Sequence, residues 1–124
     1  MTHNFYTAKM TDFLWAVKNG DLSEVQGFVE KGSNINDLIE GRTPLHYAAD
    51  YGHSEVIGYL VDKGGNIDAK DVHGITPILA AIWEGHTVSV KTLLQKGASK
   101  TGSSPDGVSY IECAEKEEIK KLLQ

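Results

Sequence analysis

The sequence predicts an all-α repeat solenoid of four short helix–turn–helix units, each of the first three followed by a hairpin-like loop. Three observations carry that prediction. Gly41, Gly74 and Gly107 stand 33 residues apart, with Thr43, Thr76 and Ser109 following in the same register. Two further sets, Gly20, Gly52 and Gly85, then Gly32, Gly64 and Gly97, keep a 12-residue offset from each other every time. The segments "NGDLSEVQGFVEKG", "YGHSEVIGYLVDKG" and "EGHTVSVKTLLQKG" superpose without gaps. Self-similarity at such a period marks stacked units, none of which can bury its apolar face alone.

The first unit, near residues 11–32, is degenerate and reads as an N-terminal cap. Thr11 falls where Thr43 does in the second unit, while Asp12 replaces the proline. Residues 1–9 match no unit and are expected to be loose, leaving one domain over 10–124 with units at about 10–40, 41–73, 74–106 and 107–124. In "GRTPLHYAADYG", Thr43 suits an N-cap and Pro44 the first helical position, where a missing N–H costs nothing. Gly52 then ends that helix after about two turns. The second helix of each unit presents one apolar face: Val25, Ile57 and Val90, then Phe28, Leu60 and Leu93, then Val29, Val61 and Leu94. Helices this short are marginal in water, so each pair must stack on the next. Between units, "SNINDLIEGR", "GNIDAKDVHGI" and "ASKTGSSPDGV" lack helical period and read as protruding loops. The last unit, "VSYIECAEKEEIKKLLQ", has lost about four residues between its helices. Its Ile119, Leu122 and Leu123 are expected to follow Ile57, Leu60 and Val61, and its charges suit a C-terminal cap facing water.

A 33-residue unit with T-P-L-H-x-A-A, then G-H, then an aliphatic helix and glycine resembles the ankyrin repeat, which "TPLHYAADYGHSEVIGYLVDKG" matches almost position by position. "TPILAAIWEGHTVSVKTLLQKG" matches with Ile78 and Leu79 at the Leu-His positions. The resemblance implies four stacked ankyrin repeats, the outer two acting as caps.

Against that register the histidines lose their chemical promise. His46, Asp50 and His53 lie at i, i+4 and i+7, which on one unbroken helix would align three metal ligands. Gly52 breaks the helix between the last two, and Leu14, Leu79 and Glu112 fill the position of His46 elsewhere. His53 recurs as His86 at the inter-helix turn. No Cys pair or H-E-x-x-H supports zinc, and "KGGN" is a helix ending rather than a phosphate loop. Cys113 has no evident base beside it, so neither a catalytic residue nor a cofactor is expected. With one cysteine, no disulfide closes within the chain, and a cytosolic or nuclear setting is expected. No apolar run reaches the roughly 20 residues that span a bilayer. Net charge is −5, and residues 1–90 carry 12 acids against 6 basic groups, which disfavours nucleic acid and suits a basic protein surface.

If the repeat-defining positions are structural, function falls on those the pattern leaves variable. On the first helices these are Trp15, Lys18 and Asn19; Tyr47, Asp50 and Tyr51; and Ala80, Trp83 and Glu84. Four of these nine are aromatic in a chain that is 8% aromatic, which points to interface anchors. The resemblance places them on the concave side, beside the hairpins. The first hairpin is one residue shorter than the others and carries Leu38, Ile39 and Glu40 at its tip. Protein-binding residues are therefore expected at Trp15, Leu38, Ile39, Glu40, Tyr47, Asp50, Tyr51, Trp83 and Glu84. The stretches "DFLWAVKNGDLSEV", "EGRTPLHYAAD", "ITPILAAIWEGHTVSVKTLLQKGA" and "IKKLLQ" look like a small, four-repeat cytosolic branch of the ankyrin family. That resemblance implies one-to-one binding, as a monomer, to the heterodimeric actin capping protein, and inhibition of barbed-end capping. A Rel/NF-κB-type partner, with nuclear entry, is the alternative it implies.

Overall fold

The computed structural model describes residues 5–124, with side chains from residue 12 onward. Among the described residues eight helices follow one another: α1 (Phe5–Asn19), α2 (Leu22–Glu30), α3 (Pro44–Asp50), α4 (Ser54–Asp62), α5 (Pro77–Glu84), α6 (Thr87–Gln95), α7 (Tyr110–Cys113) and α8 (Glu117–Leu123). α1, α3, α5 and α7 pack side by side in one layer, and α2, α4, α6 and α8 in the other. No strand forms among the described residues. The loops are held by single bridges, Ile39 with Arg42 and Ser103 with Ser109.

Thr43 and Thr76 are extended residues immediately before Pro44 and Pro77, so α3 and α5 start where the sequence puts them. α1 does not. Its helix begins at Phe5, six residues ahead of the expected Thr11 cap, so residues 5–9 are helical rather than loose. Residues 1–4 lie outside the described residues. The physical reason is Asp12: unlike proline it keeps its N–H and leaves the preceding residue free to be helical.

The first helices α1, α3 and α5 each end at a left-handed glycine, with φ of 69° at Gly20, 75° at Gly52 and 72° at Gly85. The next repeat closes onto that corner. His53 Nε2 donates to the Lys18 carbonyl at 2.7 Å, and His86 Nε2 to that of Asp50 at 2.9 Å. A Cβ on Gly52 would lie 2.7 Å from His86 Nδ1, so the glycine is needed for approach as well as for φ. In the shortened last repeat Lys116 takes over, its Nζ donating to the Gly85 carbonyl at 2.7 Å. The core runs unbroken through the stack, with Val25, Ile57, Leu60, Val90, Leu93 and Ile119 buried from the second helices. In α8 the deletion shifts the burial pattern: Leu123 is buried and Leu122 only partly so.

The missing residue of the first hairpin changes its turn. In the second and third hairpins Asp71 and Ser104 close a three-residue turn, each backbone N–H donating to the carbonyl of Ile75 or Val108. Ile39 occupies that place in the first hairpin and pairs with Arg42 across only Glu40 and Gly41. Both central residues then need positive φ, 53° at Glu40 and 85° at Gly41. Glutamate is a poor choice there, because its Cβ crowds the carbonyl. Glu40→Asn is therefore expected to stabilise the protein by about 1 kcal/mol in urea unfolding. A neutral or negative result would show that the turn carries no strain at this position.

Candidate protein-interaction surface

Among the described residues the first-helix layer exposes three aromatic rings, one from each complete helix pair. Trp15 on α1 is 65% exposed, Tyr51 at the end of α3 46%, and Trp83 on α5 47%. Leu38, 50% exposed, stands at the adjacent hairpin, and Glu40 and Glu84 are exposed beside the row. Asp50 is partly spent: its carboxylate lies 3.6 Å from Arg42 Nη1.

Two residues expected on this surface are not on it. Tyr47 is 5% and Ile39 8% exposed. The short hairpin folds back over α3, where the Tyr47 hydroxyl donates to the Ile39 carbonyl. The Tyr47 ring lies between Lys18 Nζ at 5.3 Å and Arg42 Cζ at 5.0 Å. Burial, followed by the charge of Glu40, pushes its phenol above the ordinary range, so it remains a neutral donor. Ala80, at the same repeat position, is buried too. Trp15 shares that position but is exposed, because among the described residues no hairpin precedes α1 to cover it. Tyr47 and Ile39 thus hold the hairpin against α3 instead of standing on the exposed surface.

A model of the family described as ankyrin repeats, in three copies, matches residues 13–103. Myotrophin of Xenopus tropicalis is 50% identical over 113 residues, covering 90% of this chain and 96% of that protein. Myotrophin of Homo sapiens is 52% identical over 114 residues, covering 91% and 97%. The chain belongs to the myotrophin family of ankyrin-repeat proteins. By contrast, ankyrin repeat and SAM domain-containing protein 6 of Mus musculus is 36% identical over 104 residues that make up only 12% of its length. This myotrophin-like chain is accordingly a protein-binding ankyrin module.

Two residues that shape the surface of this myotrophin-like chain escaped the sequence reading. Arg42 ties α3 to the second hairpin, with Nη1 toward Asp50 and Nε 3.6 Å from the buried carboxylate of Asp71. The other Asp71 oxygen accepts the N–H groups of His73 at 2.8 Å and Ile75 at 2.9 Å. Val72, 63% exposed, sits at the second hairpin tip and donates its N–H to the Gly41 carbonyl at 3.0 Å. An aliphatic residue inside the polar loop "KDVHG" was the available signal for it.

His46 is fully buried and committed to structure. The Thr43 N–H can only donate, so Nδ1, 3.2 Å away, must accept; Nε2 then carries the proton and donates to the Ile75 carbonyl at 2.7 Å. Burial lowers its pKa below the ordinary value of 6.5, outweighing the opposing effects of the Ile75 carbonyl and Asp71, while Arg42 lowers it further. Below about pH 6.5 the unfolded chain binds a proton that folded His46 refuses. Its contribution is therefore complete above that pH and falls away as pH drops toward the folded-state pKa. Urea unfolding at about pH 7.5 and about pH 5.5 should show wild type losing more stability on acidification than His46→Leu. Equal losses would assign the dependence to other groups. Among the described residues no group of three or more His, Cys, Asp or Glu could hold a metal ion, and no helix is long and apolar enough to cross a membrane.

Proposed function

We propose that this chain binds the actin capping protein heterodimer one-to-one in the cytoplasm and keeps it from filament barbed ends. The role is binding, not catalysis. The observation that carries the reading is the exposure of Trp15, Tyr51 and Trp83 on successive first helices, with Leu38, Glu40 and Glu84 exposed as well. Aromatic anchors with an acidic rim suit a basic, partly apolar partner surface, the rim steering encounter and the rings supplying affinity. The myotrophin likeness over nine-tenths of the chain supports capping protein as that partner. Pyrene-actin elongation from seeds tests it: capping protein stops growth, and increasing amounts of this protein should restore it without binding actin. Elongation that stays blocked at saturation would reject capping protein as the partner. A pull-down returning a Rel-type factor would then favour the other reading.

A further inference from the structure

At the N-terminal end of the stack, α1 and α2 leave an open cleft of about 430 Å³ lined by Asp12, Trp15, Glu24, Gly27, Phe28 and Lys31. Phe28 sits at the position of Leu60 and Leu93, which are fully buried because a second helix flanks each on both sides. α2 is the first of its layer, and Phe28 is only partly covered. Gly27 forms the floor, inside a helix, without positive φ, and a Cβ there would meet nothing within 4 Å. Neither backbone geometry nor packing asks for glycine, although it costs about 1 kcal/mol against alanine in a helix interior. With no side chain at this position, the floor of the cleft is bare.

The chain itself shows what such a notch accepts. On α4 the helical Gly58 is crossed by Lys96, whose Cε lies 3.7 Å from where a Cβ would be. The Lys96 ammonium continues to Asp62 at 2.7 Å. A cationic side chain thus lays its stem on a glycine and gives its charge to a carboxylate beyond. The Gly27 cleft has the same kind of floor, two carboxylates from Asp12 and Glu24 against the one cation of Lys31, and aromatic walls from Trp15 and Phe28. We infer that this cleft receives an arginine side chain from the basic surface of the protein partner. Its stem lies across Gly27, its guanidinium stacks on Trp15, and Asp12 and Glu24 take its N–H groups. Arginine suits the walls better than lysine, because its flat, weakly hydrated head stacks on aromatic faces. The identity of the partner rests on the function proposed above, whereas the chemistry of the cleft does not.

Two measurements test this and separate it from the proposed function. In the first, L-argininamide is titrated into the ¹⁵N-labelled protein. Saturable shifts are expected at the Gly27 amide and the Trp15 indole N–H but not at the Trp83 indole, and they should vanish in Gly27→Leu. That variant fills the cleft from within, and its melting temperature should equal or exceed wild type, since leucine is the better helix former. No saturable shift, equal shifts at Trp83, or shifts that survive Gly27→Leu would overturn the assignment. In the second, Gly27→Leu should weaken binding to capping protein about tenfold, and unchanged affinity would place the cleft outside the partner surface. If wild type itself fails to bind capping protein, the proposed function falls and the argininamide titration alone decides the cleft.

Discussion

Replacing Trp15 and Trp83 together by alanine should cost about 4 kcal/mol of capping-protein affinity, roughly a thousandfold in Kd. Both rings are about half exposed or more in the free protein and lie on different repeats. They are far enough apart in the stack to act nearly independently, at about 2 kcal/mol each for a hot-spot aromatic. Stability should move little, since neither ring fills the core. Isothermal titration gives the affinity, and pyrene-actin elongation the consequence: the double variant should no longer restore growth at concentrations where wild type does. Undiminished inhibition would remove the aromatic row from the interface. Tyr47 is not a fair probe of that row. Tyr47→Ala would empty a buried site and release the first hairpin, so lost binding could not be separated from lost structure.

Leu60→Ala should lower stability by about 2–5 kcal/mol, as large-to-small changes in a closed core do. Leu60 is 1% exposed on α4, between α2 and α6, in the middle of the stack. Helices on both sides hinder collapse of the cavity, and a repeat array depends on each neighbour interface for cooperativity. Leu122→Ala, at the corresponding position of the end repeat and only partly buried, should cost distinctly less. Urea unfolding followed by circular dichroism compares the two. Equal losses would contradict the burial difference between the central and end repeats. A Leu60→Ala loss below about 1 kcal/mol would mean that the second-helix register is wrong.

Much of this architecture is legible because it repeats. Thr43–Pro44 and Thr76–Pro77 mark helix starts by local chemistry alone, and Gly52 and Gly85 mark the ends. The second-helix cores of repeats two and three, with Ile57, Leu60, Val90 and Leu93, follow from spacing because each meets the same kind of neighbour. Reading fails where the symmetry breaks. Proline is missing from the first repeat, so α1 runs on through Thr11 toward Phe5. In the last repeat the deletion buries Leu123 more than Leu122 and hands the histidine's task to Lys116.

The exposed row was half legible, and its failures share one cause. Tyr51, Trp83, Leu38, Glu40 and Glu84 are exposed at positions the repeat does not use, and Trp15 is exposed because it stands in the first repeat, at a position that is buried in the next two. Tyr47 and Ile39 looked equally free in the chain and are buried, because one deleted residue turns the hairpin tightly enough to fold back over α3. His46 could be assigned to structure from the sequence, but its second partner, the Ile75 carbonyl, belongs to the next repeat. Arg42 likewise acquires its role only when the second hairpin brings Asp71 beside it. The sequence by itself determined the family, the repeat register, the helix caps and the central core, all set by interactions within one repeat or copied identically in the next. Tertiary structure alone decided which aromatics face solvent, how the first hairpin lies and that the Gly27 cleft stays open. Those depend on what an unequal neighbour, or no neighbour, places against each side chain.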